Sequence, residues 1–209
     1  MRLLFLVSED EDNTLWLRSG ALPSPRVTRR GVLCGVAALG ALPLLGAAHA
    51  ADDETKLRPR PDDQLVFATG EHTGRVIRPD DVIVDVAPVS AWPMLPATQS
   101  IRDGSRLNLV RLVRLNAASL SAKSAGYAAD GVLAFAAMCS HAGCDVLGWR
   151  AESQHLVCPC HGSEFDALDA AAVIKGPATK PLALLPLKID KGALLVAGGF
   201  TRQVGFKPL

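Results

Sequence analysis

The sequence predicts a mostly β, antiparallel domain. Short apolar runs recur after residue 64, turn signals separate them, and only one stretch has helical character. The runs are QLVFA (64–68), DVIVDVAPV (81–89), LNLVRLVRL (107–115), GVLAFAAM (131–138), HLVC (155–158), ALLPLKI (183–189) and ALLVAGGF (193–200). Alternation is clearest over 107–115, where Leu107, Leu109, Arg111, Val113 and Leu115 share one parity. Pro79-Asp80-Asp81 and Asp103-Gly104 mark turns, and Asp190-Lys191-Gly192 lies between two apolar runs and predicts a hairpin. The helical stretch is Asn116 to Ala128, rich in Ala and Ser, with Ser119 or Ser121 as its local cap.

Of the 209 residues, 49% are hydrophobic, enough for one domain with a core of its own. After Ala50 the chain carries 17 basic and 17 acidic residues, a balance that argues against a nucleic-acid partner. The first fifty residues differ in kind. Thr28-Arg29-Arg30 stand directly before an apolar run from Gly31 to Ala48, which ends in Ala48-His49-Ala50 and the acidic residues Asp52, Asp53 and Glu54. This resembles a twin-arginine export signal, which implies a periplasmic location or the periplasmic face of the cytoplasmic membrane. The run ends either in cleavage at Ala50 or in retention as a membrane anchor, and its length only just reaches that of a span. Cys34 within it is a small apolar residue. The expected organisation is thus an extension and signal at 1–50, a charged, proline-bearing linker at 51–64, and one folded domain at 65–209.

Most of the chemistry concentrates in two boxes, CSHAGC (139–144) and CPCHGS (158–163), which hold four of the five cysteines and two of the five histidines. Each box offers a thiol and an imidazole at short spacing: Cys139 with His141, and Cys158 with His161. Two such loops can serve a common metal centre. A tetrahedral zinc site would accept these donors but leaves Cys144 and Cys160 without a role. A set of structural disulfides would use the cysteines and leave the histidines unexplained. An iron-sulfur centre in which two histidines replace two cysteines on one iron uses all four of the paired donors.

The boxes closely resemble the two Rieske motifs, C-x-H-x-G-C and C-x-C-H-x-S, in sequence and in separation. The resemblance implies a Rieske fold of stacked antiparallel sheets with a small cluster-binding subdomain of two loops, at about 136–180. It implies one [2Fe-2S] cluster, with Cys139 and Cys158 on the buried iron, His141 and His161 on the outer iron, and Cys144 joined to Cys160 by a disulfide. Gly176-Pro177-Ala178 resembles the proline loop that covers the cluster in this family. Ser163 matches a serine whose hydroxyl donates to cluster or cysteine sulfur. Phe165 stands where many high-potential members carry a tyrosine with the same duty, so a lower potential is expected. Ala142 stands where quinol-oxidising relatives often carry a leucine, leaving the surroundings of His141 more open.

No nucleophile-base pair or phosphate loop is visible elsewhere, and His72 and His155 stand alone, so no catalytic residue is expected. The function implied is one-electron transfer as the iron-sulfur subunit of a larger oxidoreductase or as a free carrier. The partners expected are a cytochrome c, a cytochrome b or a molybdenum catalytic subunit. A Rieske subunit of a quinol:cytochrome c reductase is one alternative, and a non-redox zinc module is another. A terminal oxygenase would need a further catalytic domain and is not expected in a chain of this length.

Overall fold

A computed structural model describes residues 54–206. The expected export signal, Cys34 and the expected cleavage site therefore lie outside the described residues. The described chain is mostly β, in two antiparallel sheets. The larger sheet is built from β1 (Gln64–Phe67), β2 (Val89–Leu95), β3 (Ser100–Ile101), β4 (Val110–Arg114), β5 (Val132–Ala136), β10 (Leu184–Leu185), β11 (Leu187–Asp190) and β12 (Ala193–Val196). Its order is β10-β5-β4-β2-β1-β12-β11, with β3 paired to β2. The two outermost strands, β10 and β11, are separated by Pro186 alone, so the sheet curls until its ends nearly meet. Pro186 supplies the break, because it has no N–H to continue a ladder.

The smaller sheet comprises β6 (Gly148–Arg150), β7 (His155–Cys158), β8 (Ser163–Asp166) and β9 (Ala172–Lys175), in that spatial order. It is inserted in sequence between β5 and β10, which are hydrogen-bonded neighbours in the larger sheet.

Two cores follow from this arrangement. Leu65, Ile77, Ala91, Val110, Leu112, Val132, Ala134, Leu185, Leu194 and Val196 fill the curled sheet. The opposite parity of β4 and β5 supplies Val113, Leu133 and Phe135 to a second core, shared with Leu156, Cys139, Cys158 and Phe165 from the inserted segment. Strand β5 is therefore buried along its whole length, Val132 through Ala136. This is why a two-residue alternation is absent from its sequence: both faces meet apolar neighbours. The same reasoning corrects the reading of 107–115, where Val110 and Leu112 are as fully buried as Val113 and Leu115.

Three other expectations change. DVIVDVAPV is not a strand over most of its length: Pro79–Asp81 forms a 3-10 turn, and Ile83, Val84 and Val86 are exposed. The strand begins at Val89 and continues through Pro93, where Leu65 is the partner across the ladder. The predicted helix at 116–128 is two short turns, a 3-10 turn at Ala117–Ser119 and a helical turn at Ala122–Ala125. The hydroxyl of Ser121 caps the second, accepting from the Ser124 N–H. The hairpin at 190–192 forms as expected, with Asp190 facing Ala193.

Within the stretch read as a linker, residues 54–63 are held on the domain. Arg102 donates two hydrogen bonds to the Asp63 carboxylate, at 2.6 and 3.0 Å, and both side chains are fully buried. Arg102 also donates to the Glu54 carbonyl at 3.1 Å, and buried Asn108 donates to the Leu57 carbonyl at 2.8 Å. A buried charge is tolerated only when paired and hydrogen-bonded, and this one is both.

Candidate metal centre

The topology of the smaller sheet gathers the boxes at one of its ends. The first box leads into β6, the second is the turn between β7 and β8, and Gly176-Pro177 follows β9. The first box closes as a tight loop: Cys139 N–H donates to the Cys144 carbonyl at 2.7 Å, and Gly143 N–H to the Cys139 carbonyl at 3.1 Å. Gly143 has φ +75°, a left-handed conformation that glycine adopts without strain. The second box is turned by Cys158 facing Ser163 across the hairpin, with Gly162 N–H donating to the Cys158 carbonyl at 3.0 Å.

A disulfide joins Cys144 to Cys160, their Cα atoms 6.5 Å apart. The sulfurs of Cys144, Cys158 and Cys160 all lie within 4.8 Å of one another, so the bridge runs beside the Cys158 thiol. Among the described residues, the two cysteines left unbridged, Cys139 and Cys158, are 1% and 2% exposed. The rings of His141 and His161 meet edge to face, their centroids 4.8 Å apart; His141 is half-buried and His161 exposed. The site thus grades from two thiols inside to two imidazoles at the surface. Burial pushes the Cys139 thiol up from its ordinary pKa, and the adjoining Cys158 thiol adds to this. The backbone N–H groups of His141 and Ala142, directed at the Cys139 sulfur, pull the other way. Holding a metal there requires the thiolate, so loading the site releases protons.

The segment after β9 bridges the two boxes. Gly176 passes so close to the second box that a Cβ on it would stand 2.5 Å from Ser163 Cα. Its φ of +87° adds a second reason for glycine. Ala178 N–H donates to the Ser163 hydroxyl at 3.2 Å, and the Ser140 hydroxyl donates to the Lys180 carbonyl at 2.5 Å. Pro177 is exposed beside them. Ser163 is fully buried, and with its oxygen accepting from Ala178 its own proton remains to be donated. Phe165 is fully buried between Leu156 and Val173 in adjoining strands. Ala142 is exposed beside His141.

Among the described residues, the two histidines outside the boxes sit elsewhere. His72 is exposed, its ring 5.7 Å from that of Phe67. His155 belongs to a charged group on the smaller sheet, where the nearly buried Glu164 lies 3.4 Å from His155 Nδ1, 3.2 Å from Arg150 Nε and 3.8 Å from Lys175 Nζ. Burial opposes ionisation of Glu164, yet the His155 contact and the Arg150 and Lys175 charges outweigh it and hold the carboxyl below its ordinary pKa. Sequence reasoning missed this charged group, whose residues belong to no motif, and the hydrogen bonds of Ser140 and Ala178, which lie in the first box and the proline loop at positions given no role of their own.

Two buried thiols and two imidazoles nearer the surface suit a cluster that takes sulfur on one iron and nitrogen on the other. The disulfide removes Cys144 and Cys160 from the donors, leaving the set that such a group needs.

The profile of the Rieske [2Fe-2S] domain matches residues 92–186. A cytochrome bc1 complex Rieske iron-sulfur subunit from Streptomyces lividans is 30% identical over 158 residues, which is 72% of this chain and 91% of the relative. The subunit of that name from Mycobacterium tuberculosis is 48% identical over 73 residues, 34% of this chain but only 17% of the relative's length. A putative respiratory nitrate reductase subunit Rieske from Haloferax mediterranei is 41% identical over 80 residues, 38% of this chain and 36% of the relative. With the paired boxes, their disulfide and this match along most of the described domain, the chain belongs to the Rieske [2Fe-2S] family, whose domain carries one such cluster per chain.

Proposed function

We propose that this protein transfers single electrons through a [2Fe-2S] cluster held by Cys139, His141, Cys158 and His161. The observation that carries the reading is the gradation of the donor set, with both unbridged thiols buried and both imidazoles turned toward the surface in edge-to-face contact. When bound, the cluster supplies a one-electron couple, for centres of this type within roughly −150 to +300 mV. Cys139 and Cys158, both buried, would hold the iron they bind away from water. His141 and His161 would hold the other iron nearer the surface, and the ring nitrogen not bound to metal could hold or release a proton. The Ser163 hydroxyl, with its proton free to donate, would favour the reduced state by donating to sulfur.

The chain acts as the iron-sulfur subunit of a larger oxidoreductase or as a carrier, with a cytochrome or a molybdenum subunit as partner. The names of the relatives, from bc1 complexes and a nitrate reductase, support a multi-subunit setting. A quinol-oxidising role is the second reading, supported by the bc1 relatives; Ala142 and Phe165 favour the first. We further propose export by the leader at 1–50 to the periplasmic side. No helix among the described residues is long and apolar enough to cross a membrane.

EPR of the dithionite-reduced protein, with iron, sulfide and zinc analysis, tests the reading. The expected result is a [2Fe-2S] signal of low average g-value, lost in Cys158→Ser and in His161→Ala. A zinc-loaded, EPR-silent protein would falsify it.

A further inference from the structure

Beyond β12 the chain continues as a tail that follows the outer edge of β10. Ala197 N–H donates to the Pro186 carbonyl at 2.7 Å and Thr201 N–H to the Leu184 carbonyl at 2.9 Å. The Thr201 hydroxyl in turn accepts from Leu184 N–H at 3.0 Å. Phe200 is pinned by the Arg58 guanidinium, 5.3 Å from its ring centre. Val204, 3% exposed, then anchors the tail against Ala136 and Ala183, with Met138 packed beside them. This places the last two described residues against the first box. A Cβ on Gly205 would stand 2.6 Å from Met138 Sδ, and a Cβ on Gly143 would stand 2.8 Å from Phe206 Cε1 and 3.7 Å from the same Met138 sulfur. The turn at Gly143 is therefore covered by an aromatic ring delivered from the far end of the chain. Phe206 remains 43% exposed, so burial within the main cores does not account for its position.

We infer that the tail is a positioning element for the first box. By packing on Gly143, Phe206 holds the left-handed turn whose N–H closes on the Cys139 carbonyl, and so fixes the spacing between Cys139 and His141. A glycine turn left bare can sample other conformations, and a ring resting on it removes them. The inference rests on the proposed ligand role of Cys139 and His141 and adds a residue outside both boxes to their support.

The test compares Phe206→Ala, Phe206→Tyr and, as a control for loss of an exposed apolar side chain elsewhere, Ile189→Ala. Hydrogen exchange of the cluster-free, disulfide-intact protein is followed at the amides of Gly143 and Cys144, and EPR linewidths are recorded on the loaded, reduced protein. Phe206→Ala should speed exchange at Gly143 about tenfold and broaden the EPR lines, with Phe206→Tyr and Ile189→Ala resembling wild type. Unchanged exchange in Phe206→Ala, or an increase equal to that in β1 and β2, overturns the inference. If wild type lacks the cluster signal, the ligand reading falls, and the exchange at Gly143 still decides whether the tail holds the turn.

Discussion

Phe165 shows how one missing atom can set a property of the whole protein. Its ring is fully buried between Leu156 and Val173, in the same core as Cys139 and Cys158. A hydroxyl there would donate to sulfur and strengthen as negative charge builds on reduction. Phe165→Tyr should raise the midpoint potential; a bond favouring the reduced state by about 1 kcal/mol corresponds to ~40 mV for one electron. Potentiometric titration followed by EPR checks this, and an unchanged or lower potential refutes it. Glu164, next in sequence, gives a pH signature instead. Its folded pKa lies below the ordinary 4.5, so its contribution to stability is complete above that value and is lost as pH falls through the folded value. Glu164→Gln should lower the urea midpoint at pH 7, and the gap from wild type should close as pH falls below 4.5. The box residues were readable in the sequence because ligand chemistry restricts both residue type and spacing. The tail was not, because ALLVAGGF reads as one β run ending at Phe200 and nothing in the sequence ties Phe206 to Gly143, far from it along the chain.

At the scale of elements, the two boxes are loops of different origin tied by one covalent bond. The Cys144–Cys160 bridge closes a separation of 16 residues. In the cluster-free protein its removal, as Cys144→Ser with Cys160→Ser, should cost about 3 kcal/mol by the loop-closure account. Urea unfolding measures this, and a loss below 1 kcal/mol would mean that the smaller sheet holds the loops without it. The element-level reading from sequence succeeded where a strand is short and bounded by turns, as at β1, β7 and the β11–β12 hairpin. It failed at β2, where Pro93 reads as a breaker, and at 82–86, where apolar residues face solvent. Strands β8 and β9 escaped notice because Ser163-Glu164-Phe165-Asp166 and Ala172-Val173-Ile174-Lys175 are too polar or too short to stand out from loop.

For the whole molecule, the buried pair of Asp63 and Arg102 holds the stretch from Glu54 to Asp63 on the folded body. Arg102→Met alone should cost about 3–5 kcal/mol, because it leaves the fully buried Asp63 carboxylate without its charge partner. Adding Asp63→Leu should restore most of that loss. Limited proteolysis should show the stretch from Glu54 to Asp63 becoming cleavable in the single variant and protected again in the double. If the single variant keeps wild-type stability and protection, that stretch is not part of the body.

The insertion of the smaller sheet between β5 and β10 ties assembly of the two sheets together. These strands are partners in the curled sheet, yet everything that carries the boxes lies between them in sequence. Pairing of β5 with β10 holds the two ends of the box-bearing segment side by side. Resistance of β10 to proteases is thus a gauge of how firmly both ends of that segment are held.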